Sequence, residues 1–396
     1  MPPTQRMSDH RTVPTVPVPT LPVPTLLWMY ATFILTGLGT FLLGPILPML
    51  SRQWHLADAQ AGLLLMAQFC GSFCGGISTS GRLRRSVAVG VAASTLGLAI
   101  FALAPGLAVA CTGLVIGGFG VGRTLTAIHI IAGRRFTANR GVSVTRLNLS
   151  WSFGAMLSPL LAAWLTPHFA LRNLLLTLAG FFLISIIALV FQMRGAEPEP
   201  PARAEADTIP GLRPHVFLYF LGILFVYGGL ETCLSGWLTT FALRYGTSSL
   251  ALSEYTLVLL LLGLTVGRAI ASALLHRVAE TTLIRVALGL SAILSAALAT
   301  AHTAASIAAF AVLLGLSLAA VFPVSFSILL GYHPRARQAG AVIAVSGLGA
   351  ASLPWLMGVL STRTGSLQLA LGIPVAAALV LLVMILFPPK LDAFTP

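Results

Sequence analysis

Charge is what this chain most lacks. Only 8% of its 396 residues are charged and 57% are hydrophobic, whereas a soluble domain carries about a quarter charged residues. That excludes a soluble globular fold and points to a polytopic membrane protein. Acid is scarcer than base: ten Asp and Glu stand against 23 Lys and Arg, for a net charge of +13. Nucleic-acid binders gather such an excess on one face. Here the basic residues fall at the ends of apolar runs, as membrane orientation signals do, so no nucleic-acid partner is expected. Cysteine is scarce too. Cys70, Cys74, Cys111 and Cys233 all lie inside apolar runs. Cys70 and Cys74 share a helix face as small packing residues, and with no further ligands nearby neither a metal nor a disulfide is expected. Enzyme signatures are missing: no Gly-x-Ser-x-Gly elbow in a strand–helix context, no phosphate-cradling Walker loop, no His-Glu-x-x-His. No enzymatic activity and no cofactor are therefore expected. Without an ATP site, any transport must draw on an ion gradient or on the solute's own gradient.

What the chain does have is twelve apolar segments. Six precede residue 194, at about 26–50, 58–80, 86–105, 107–133, 142–167 and 172–193. Six follow residue 213, at about 214–243, 252–276, 281–301, 304–331, 339–361 and 366–388. Only helices and closed barrels satisfy backbone groups in lipid. Barrel strands alternate in polarity over about ten residues and these segments do not, so each is read as a membrane helix. Residues 1–25 lack the form of a secretory signal. They are rich in Pro and Thr and read as a disordered cytoplasmic tail. With the N-terminus inside, the inward connections carry thirteen arginines, among them Arg82, Arg84, Arg85, Arg134, Arg135 and Arg140. The outward connections carry four: Arg52, Arg172, Arg244 and Arg363. Both termini are accordingly expected in the cytoplasm, in a bacterial inner (plasma) membrane. Residues 194–213 hold four of the ten acids and several prolines and read as a flexible linker. It joins a bundle at 26–193 to a second at 214–389, with a short tail at 390–396.

The two halves echo one another. Gly154-Ala155-x-x-x-Pro159 recurs 195 residues later as Gly349-Ala350-x-x-x-Pro354. Arg140 and Arg335 share that offset, and Gly71 and Gly267 differ by 196. Agreement on one offset near half the chain length predicts two pseudo-symmetric six-helix bundles. A site is expected at their interface, near the midplane.

Glu231 is the first candidate for that site. It sits in Phe217–Leu243, an otherwise almost wholly apolar run. A carboxylate there is costly unless paired, solvated or protonated, and is functional by default. Tyr227 and Ser235 share its helix face. It is either a proton-coupling group, since a carboxyl cut off from bulk water is hard to ionise, or a structural carboxylate tied to Arg268. Arg123 lies deep in the fourth segment, in Gly117-Gly118-Phe119-Gly120-Val121-Gly122-Arg123. No strand precedes these glycines, so they read as close helix packing rather than a nucleotide loop. Arg123 either meets the solute, counters Glu231 or serves structure. His129, six residues on, is off that face, and is either titratable or a hydrogen-bonded structural histidine. In the fifth segment, which also carries Arg146, the residues Asn148, Trp151, Ser152 and Ala155 form one stripe. An amide beside an aromatic plate suits a sugar. Trp237 faces away from Glu231 unless the Gly228-Gly229 pair bends its helix. Gln68 and Ser325 are further polar candidates, and Trp28, Trp54 and Trp164 fit an interfacial aromatic belt.

Several stretches resemble the major facilitator superfamily over nearly the whole chain. Gly81-Arg82-Leu83-Arg84-Arg85 is similar to that family's cytoplasmic signature after its second helix, without the usual acidic residue. Within the superfamily the chain resembles the fucose–glucose permease-like group of cation-coupled sugar importers. Tyr227-Gly228-Gly229-Leu230-Glu231 with Trp237, Gly267-Arg268, and Gly315 with Phe322-Pro323 carry that likeness. The resemblance implies alternating access and proton- or sodium-coupled uptake of a small polar solute, preferably a sugar, by a monomer in contact with lipid. Two rival expectations stand beside it: export of drugs or metabolites, and uptake of an organic anion by membrane arginines.

Overall fold

The computed structural model describes residues 23–79, 82–135, 140–193, 212–247, 250–332, 334 and 336–388. The 1–22 tail, nearly all of the linker and the C-terminal tail lie outside them. Among the described residues every regular element is an α-helix. In hydrocarbon no water is present to bond the backbone, and a helix satisfies its N–H and C=O groups within one segment.

The first segment is broken. α1 (Val23–Phe41) gives way at Leu42 to α2 (Leu43–Gln53), bent by 41°. Pro45 cannot donate to the carbonyl four residues back, and its ring crowds that turn. Gln68 of α3 (Asp58–Ile77) serves the break: its Nε2 donates to Thr40 O at 2.8 Å and to Gly39 O at 3.4 Å. α4 (Leu83–Ala102), α5 (Leu107–Arg135), α6 (Arg140–Leu165) and α7 (Leu171–Met193) complete the first half. The second half opens with α8 (Pro214–Tyr245) and the short α9 (Leu250–Glu254). It continues through α10 (Thr256–Leu274), α11 (Glu280–Ala299) and α12 (Ala304–Leu318), which runs on into α13 (Val321–Gly331). α14 (Ala336–Thr364), the short α15 (Leu367–Ala370) and α16 (Gly372–Leu386) close the chain. Ten helices are long and apolar enough to cross a bilayer, eleven with the bent α1–α2 pair counted as one crossing. α6, 26 residues long with Asn148 and Ser150 among its apolar side chains, occupies the remaining segment.

The repeat read from the sequence has a packing meaning. A Cβ on Gly154 of α6 would strike Ile34 O of α1, and one on Gly349 of α14 would strike Phe225 O of α8. The equivalent glycines therefore mark the same close approach, first helix to fifth, in each half. Gly71 meets Val115 O of α5 and Gly267 meets Leu316 O of α12, the second helix against the fourth in both halves. Without a hydrophobic difference between lipid and side chain, helices associate through such backbone proximity. Gly349→Val is accordingly expected to lower the melting temperature of the detergent-purified protein, with overpacking costing roughly 1–3 kcal/mol. Gly340→Val, at an exposed position with open space around it, is expected to leave it unchanged.

The two halves touch along three seams: α2 on α8, α3 on α14, and α6 on α10. The first two converge at the end of the molecule that carries the α2–α3 turn. There His55 takes a positive φ of 50° and Gly365, just past α14, one of 69°, the left-handed geometry that ends a helix sharply.

Candidate functional site

Beside the α6–α10 seam a narrow crevice lies between the halves. Phe41, Trp151, Ser152 and Ala155 line it from the first half. Glu231, Leu261, Leu264, Thr265 and Arg268 line it from the second. Its empty space, solvent-open parts included, is about 250 Å³. The room in it that a water can occupy amounts to about one molecule, far below what a drug-sized ligand needs. In this state the halves have closed on the site.

Glu231 and Arg268 are the two ionisable side chains lining this crevice. They interact electrostatically without a salt bridge. Arg268 instead donates from Nη1 to Ser152 Oγ at 3.2 Å, reaching across from one half to the other. Tyr227, one turn before Glu231, is buried and electrostatically coupled to both Glu231 and Arg268. Its hydroxyl makes no hydrogen bond of standard geometry, and its ring packs on Phe322 with centroids 6.0 Å apart. The Trp151 ring meets Phe41 edge-on at 5.5 Å, and its buried Nε1 has no partner.

The predicted α6 stripe thus divides. Trp151, Ser152 and Ala155 line the crevice, while Asn148 faces His129 of α5, with His129 Nε2 3.1 Å from Asn148 Oδ1. His129 Nδ1 lies 2.8 Å from Leu125 O. A carbonyl only accepts, so Nδ1 carries the hydrogen there, and Nε2 meets the Asn148 side-chain amide. Arg123 does not reach the crevice. Its Nη1 donates to Ser78 O and Ser78 Oγ, both at 2.8 Å, and its Nη2 to Ser86 Oγ at 3.4 Å. It ties the end of α3 to the start of α4, across the loop whose signature acid is missing. The side chain of Arg146 lies outside the described residues.

Gln68 serves the α1–α2 break, as above. It also borders a second hollow inside the first half, with Ser94, Phe101 and Phe182. Ser325 is buried on α13 with an unpartnered hydroxyl. Ser235 offers its backbone to the close approach of Gly44. α8 is continuous, so the Gly228-Gly229 pair does not break it: Gly228 admits the backbone of Ser346 and Gly229 the side chain of Leu353. Trp237 consequently stays off the crevice, buried against α14 with Nε1 donating to Pro354 O at 3.0 Å. Trp28, expected at the membrane interface, is buried against α7 instead, donating to Ser185 O at 2.7 Å. Trp164 is 63% exposed.

A further polar cluster went unread in the sequence. Asp58, the first residue of α3, receives Arg244 of α8 through Nη1 at 2.7 Å and Nη2 at 2.5 Å. Ser361 of α14 donates to the same carboxylate at 2.5 Å, and the neighbouring Ala59 N–H donates to Thr362 Oγ1 at 2.8 Å. Gly358 lets the α14 backbone lie against Asp58 O. Among the described residues this is the one ion pair, and it joins the two halves. The signals were an acid opening one apolar segment and a base ending another, but nothing in the sequence pairs them.

The sequence matches the family model described as Major Facilitator Superfamily over residues 29–339. No curated protein matches it. Among solved structures, the D-xylose-proton symporter is similar at a TM-score of 0.74 and 14% identity, covering 94% of this chain and 99% of that one. The nucleoside transporter NupG follows at 0.72 and 12%, covering 92% and 98%. The fucose:proton symporter FucP of E. coli stands at 0.62 and 17%, covering 93% and 99%. At such identities the likeness concerns the fold.

Proposed function

This chain belongs to the Major Facilitator Superfamily, a multi-pass secondary transporter and not an enzyme, and we propose that it takes up a small polar solute together with protons through Glu231. The observation that carries the reading is the position of Glu231. It is the one carboxyl lining the crevice where both halves meet, so its charge bears on the contact that must break when the halves rock. Arg268 has two partners to choose between, Glu231 on its own side and Ser152 across the seam. With Glu231 ionised, the guanidinium is held toward the carboxylate. Once Glu231 takes a proton, that attraction ends and Arg268 is free for Ser152 or for a bound solute. A charge so enclosed is worth far more than one in water, so one proton can bias which packing of the halves prevails.

The excess of arginine on one side of the membrane supports placing both termini in the cytoplasm of a bacterial inner membrane. The Asp58–Arg244 end then faces outward. Two proteins of like fold are proton symporters, one of D-xylose and one of fucose.

The test has two steps. A thermal-shift screen of the purified protein against sugars, organic acids and amines picks stabilising compounds. Proteoliposomes with an acid exterior are then expected to accumulate those compounds, and a protonophore is expected to stop it. Accumulation indifferent to the protonophore would end the coupling reading. Movement only out of the cytoplasmic side, in inverted vesicles, would make the protein an exporter.

A further inference from the structure

Resting on that reading of Glu231, we infer that the co-transported solute is a small organic monoanion, a carboxylate that binds Arg268 while Glu231 holds the proton. The argument is charge balance in the crevice. Its two ionisable lining groups, Glu231 and Arg268, sum to zero when both are ionised. The other titratable group coupled to them is the Tyr227 hydroxyl. α1 and α6 supply Phe41, Trp151, Ser152 and Ala155, none of which titrates.

Four occupancies follow. Empty and deprotonated, the crevice is neutral. With a proton alone it holds an unbalanced guanidinium. With an anion alone it holds one negative charge too many. With a proton and a monoanion together it is neutral again. A buried charge without its partner is strongly unfavourable, and the halves must close around whatever the crevice holds. Only the empty state and the doubly loaded state can therefore close and cross, which is strict one-to-one coupling. A neutral sugar fails this test, because its loaded state keeps the bare guanidinium.

Hydrogen bonding points the same way. Arg268 presents a planar fork suited to a carboxylate, with one Nη already turned across the seam to Ser152 Oγ at 3.2 Å. Trp151, lining the same crevice, carries a buried N–H with no partner. Thr265 spends its hydroxyl hydrogen on Leu261 O at 2.8 Å. When Glu231 is protonated, the unspent groups are mostly donors, which an acceptor-rich carboxylate answers better than a polyol that must also donate.

Two measurements test this. The first needs no substrate. Arg268→Gln leaves Glu231 alone in the crevice, so the protonated empty carrier becomes the neutral one that can close, and the deprotonated carrier holds a bare carboxylate that resists closing. Spin labels at Arg85→Cys and His276→Cys, exposed on opposite halves, in a background with the four native cysteines replaced, are expected to show a longer-distance population that grows as pH falls in wild type, shrinks as pH falls in Arg268→Gln, and ignores pH in Glu231→Gln/Arg268→Gln. A folded single variant whose label distances respond to pH as wild type does overturns the charge argument. The second uses a panel of radiolabelled lactate, glycolate, gluconate, fucose and xylose. A monocarboxylate is expected to accumulate on a pH gradient and to ignore a potassium–valinomycin potential, because proton plus monoanion moves no net charge. A sugar carried in its place, or failure of every carboxylate in the panel, overturns the substrate class. A sugar accumulating on both pH gradient and potential would leave proton coupling through Glu231 intact, whereas uptake indifferent to the pH gradient would overturn the coupling itself.

Discussion

Glu231→Gln is expected to abolish gradient-driven accumulation while leaving exchange of solute across the membrane intact. Glutamine keeps the shape and part of the hydrogen bonding of a protonated glutamate but cannot give up a proton. The variant is thus fixed in the form that accepts solute. A loaded carrier can still close and reopen on either side, so exchange persists. The empty carrier would have to return with Arg268 unbalanced in the crevice, so net uptake stalls. With one proton per solute, a gradient of about two pH units can hold an accumulation ratio of about 100, since each unit is worth about 1.36 kcal/mol. The variant should fall to a ratio of about one. Accumulation at the wild-type level in a folded Glu231→Gln protein would remove the basis of the proposed mechanism. Equal loss of exchange and accumulation would return Glu231 to a structural role.

Breaking the Asp58–Arg244 pair is expected to open the end of the molecule that it now holds shut. Asp58 accepts from Arg244 of α8 and Ser361 of α14 at once, so a single carboxylate joins three helices from both halves. Asp58→Asn weakens all of these contacts with little change of shape. The Arg244 side chain is 40% exposed, so water recovers part of the loss. The bias against the open state should shrink by on the order of 1–2 kcal/mol, about a five- to thirtyfold change in the ratio of states. Spin labels at Gln53→Cys and Thr364→Cys, exposed positions on opposite halves, would report it in a background with the four native cysteines replaced. A longer-distance population should grow in Asp58→Asn, and in Arg244→Met as a second route to the same break. Distance distributions matching wild type in both folded variants would mean the pair is ornamental to closure, with the glycine-mediated contact of α3 on α14 sufficient by itself.

The parts of this protein that were legible in its sequence share a physical cause. Lipid forbids an unpaired backbone group and tolerates few charges, so the apolar segments and their helical state are written locally in composition. The isolated acid of α8 stands out for the same reason. The duplicated glycines could be read because two halves of like shape need like points of close approach. Trp151 and Ser152 could be read as facing together because helical periodicity fixes which residues share a stripe. The same periodicity misled at Asn148: a stripe spans the crevice edge, and one turn toward the α5 side the neighbour is His129. Trp237 followed its helical spacing once α8 proved continuous.

What the sequence by itself determined is therefore whatever depends on a residue and its neighbours along one helix: twelve apolar helices, two similar halves, one stranded carboxyl. What only the tertiary structure decided is which distant groups meet. Arg123 was drawn to Ser78 and Ser86 rather than to the crevice, Arg268 to Ser152, and Asp58 to Arg244, 186 residues away. A guanidinium's partner is chosen by distance in space under a low dielectric, and that distance is fixed by how whole helices pack, which no local run of side chains encodes.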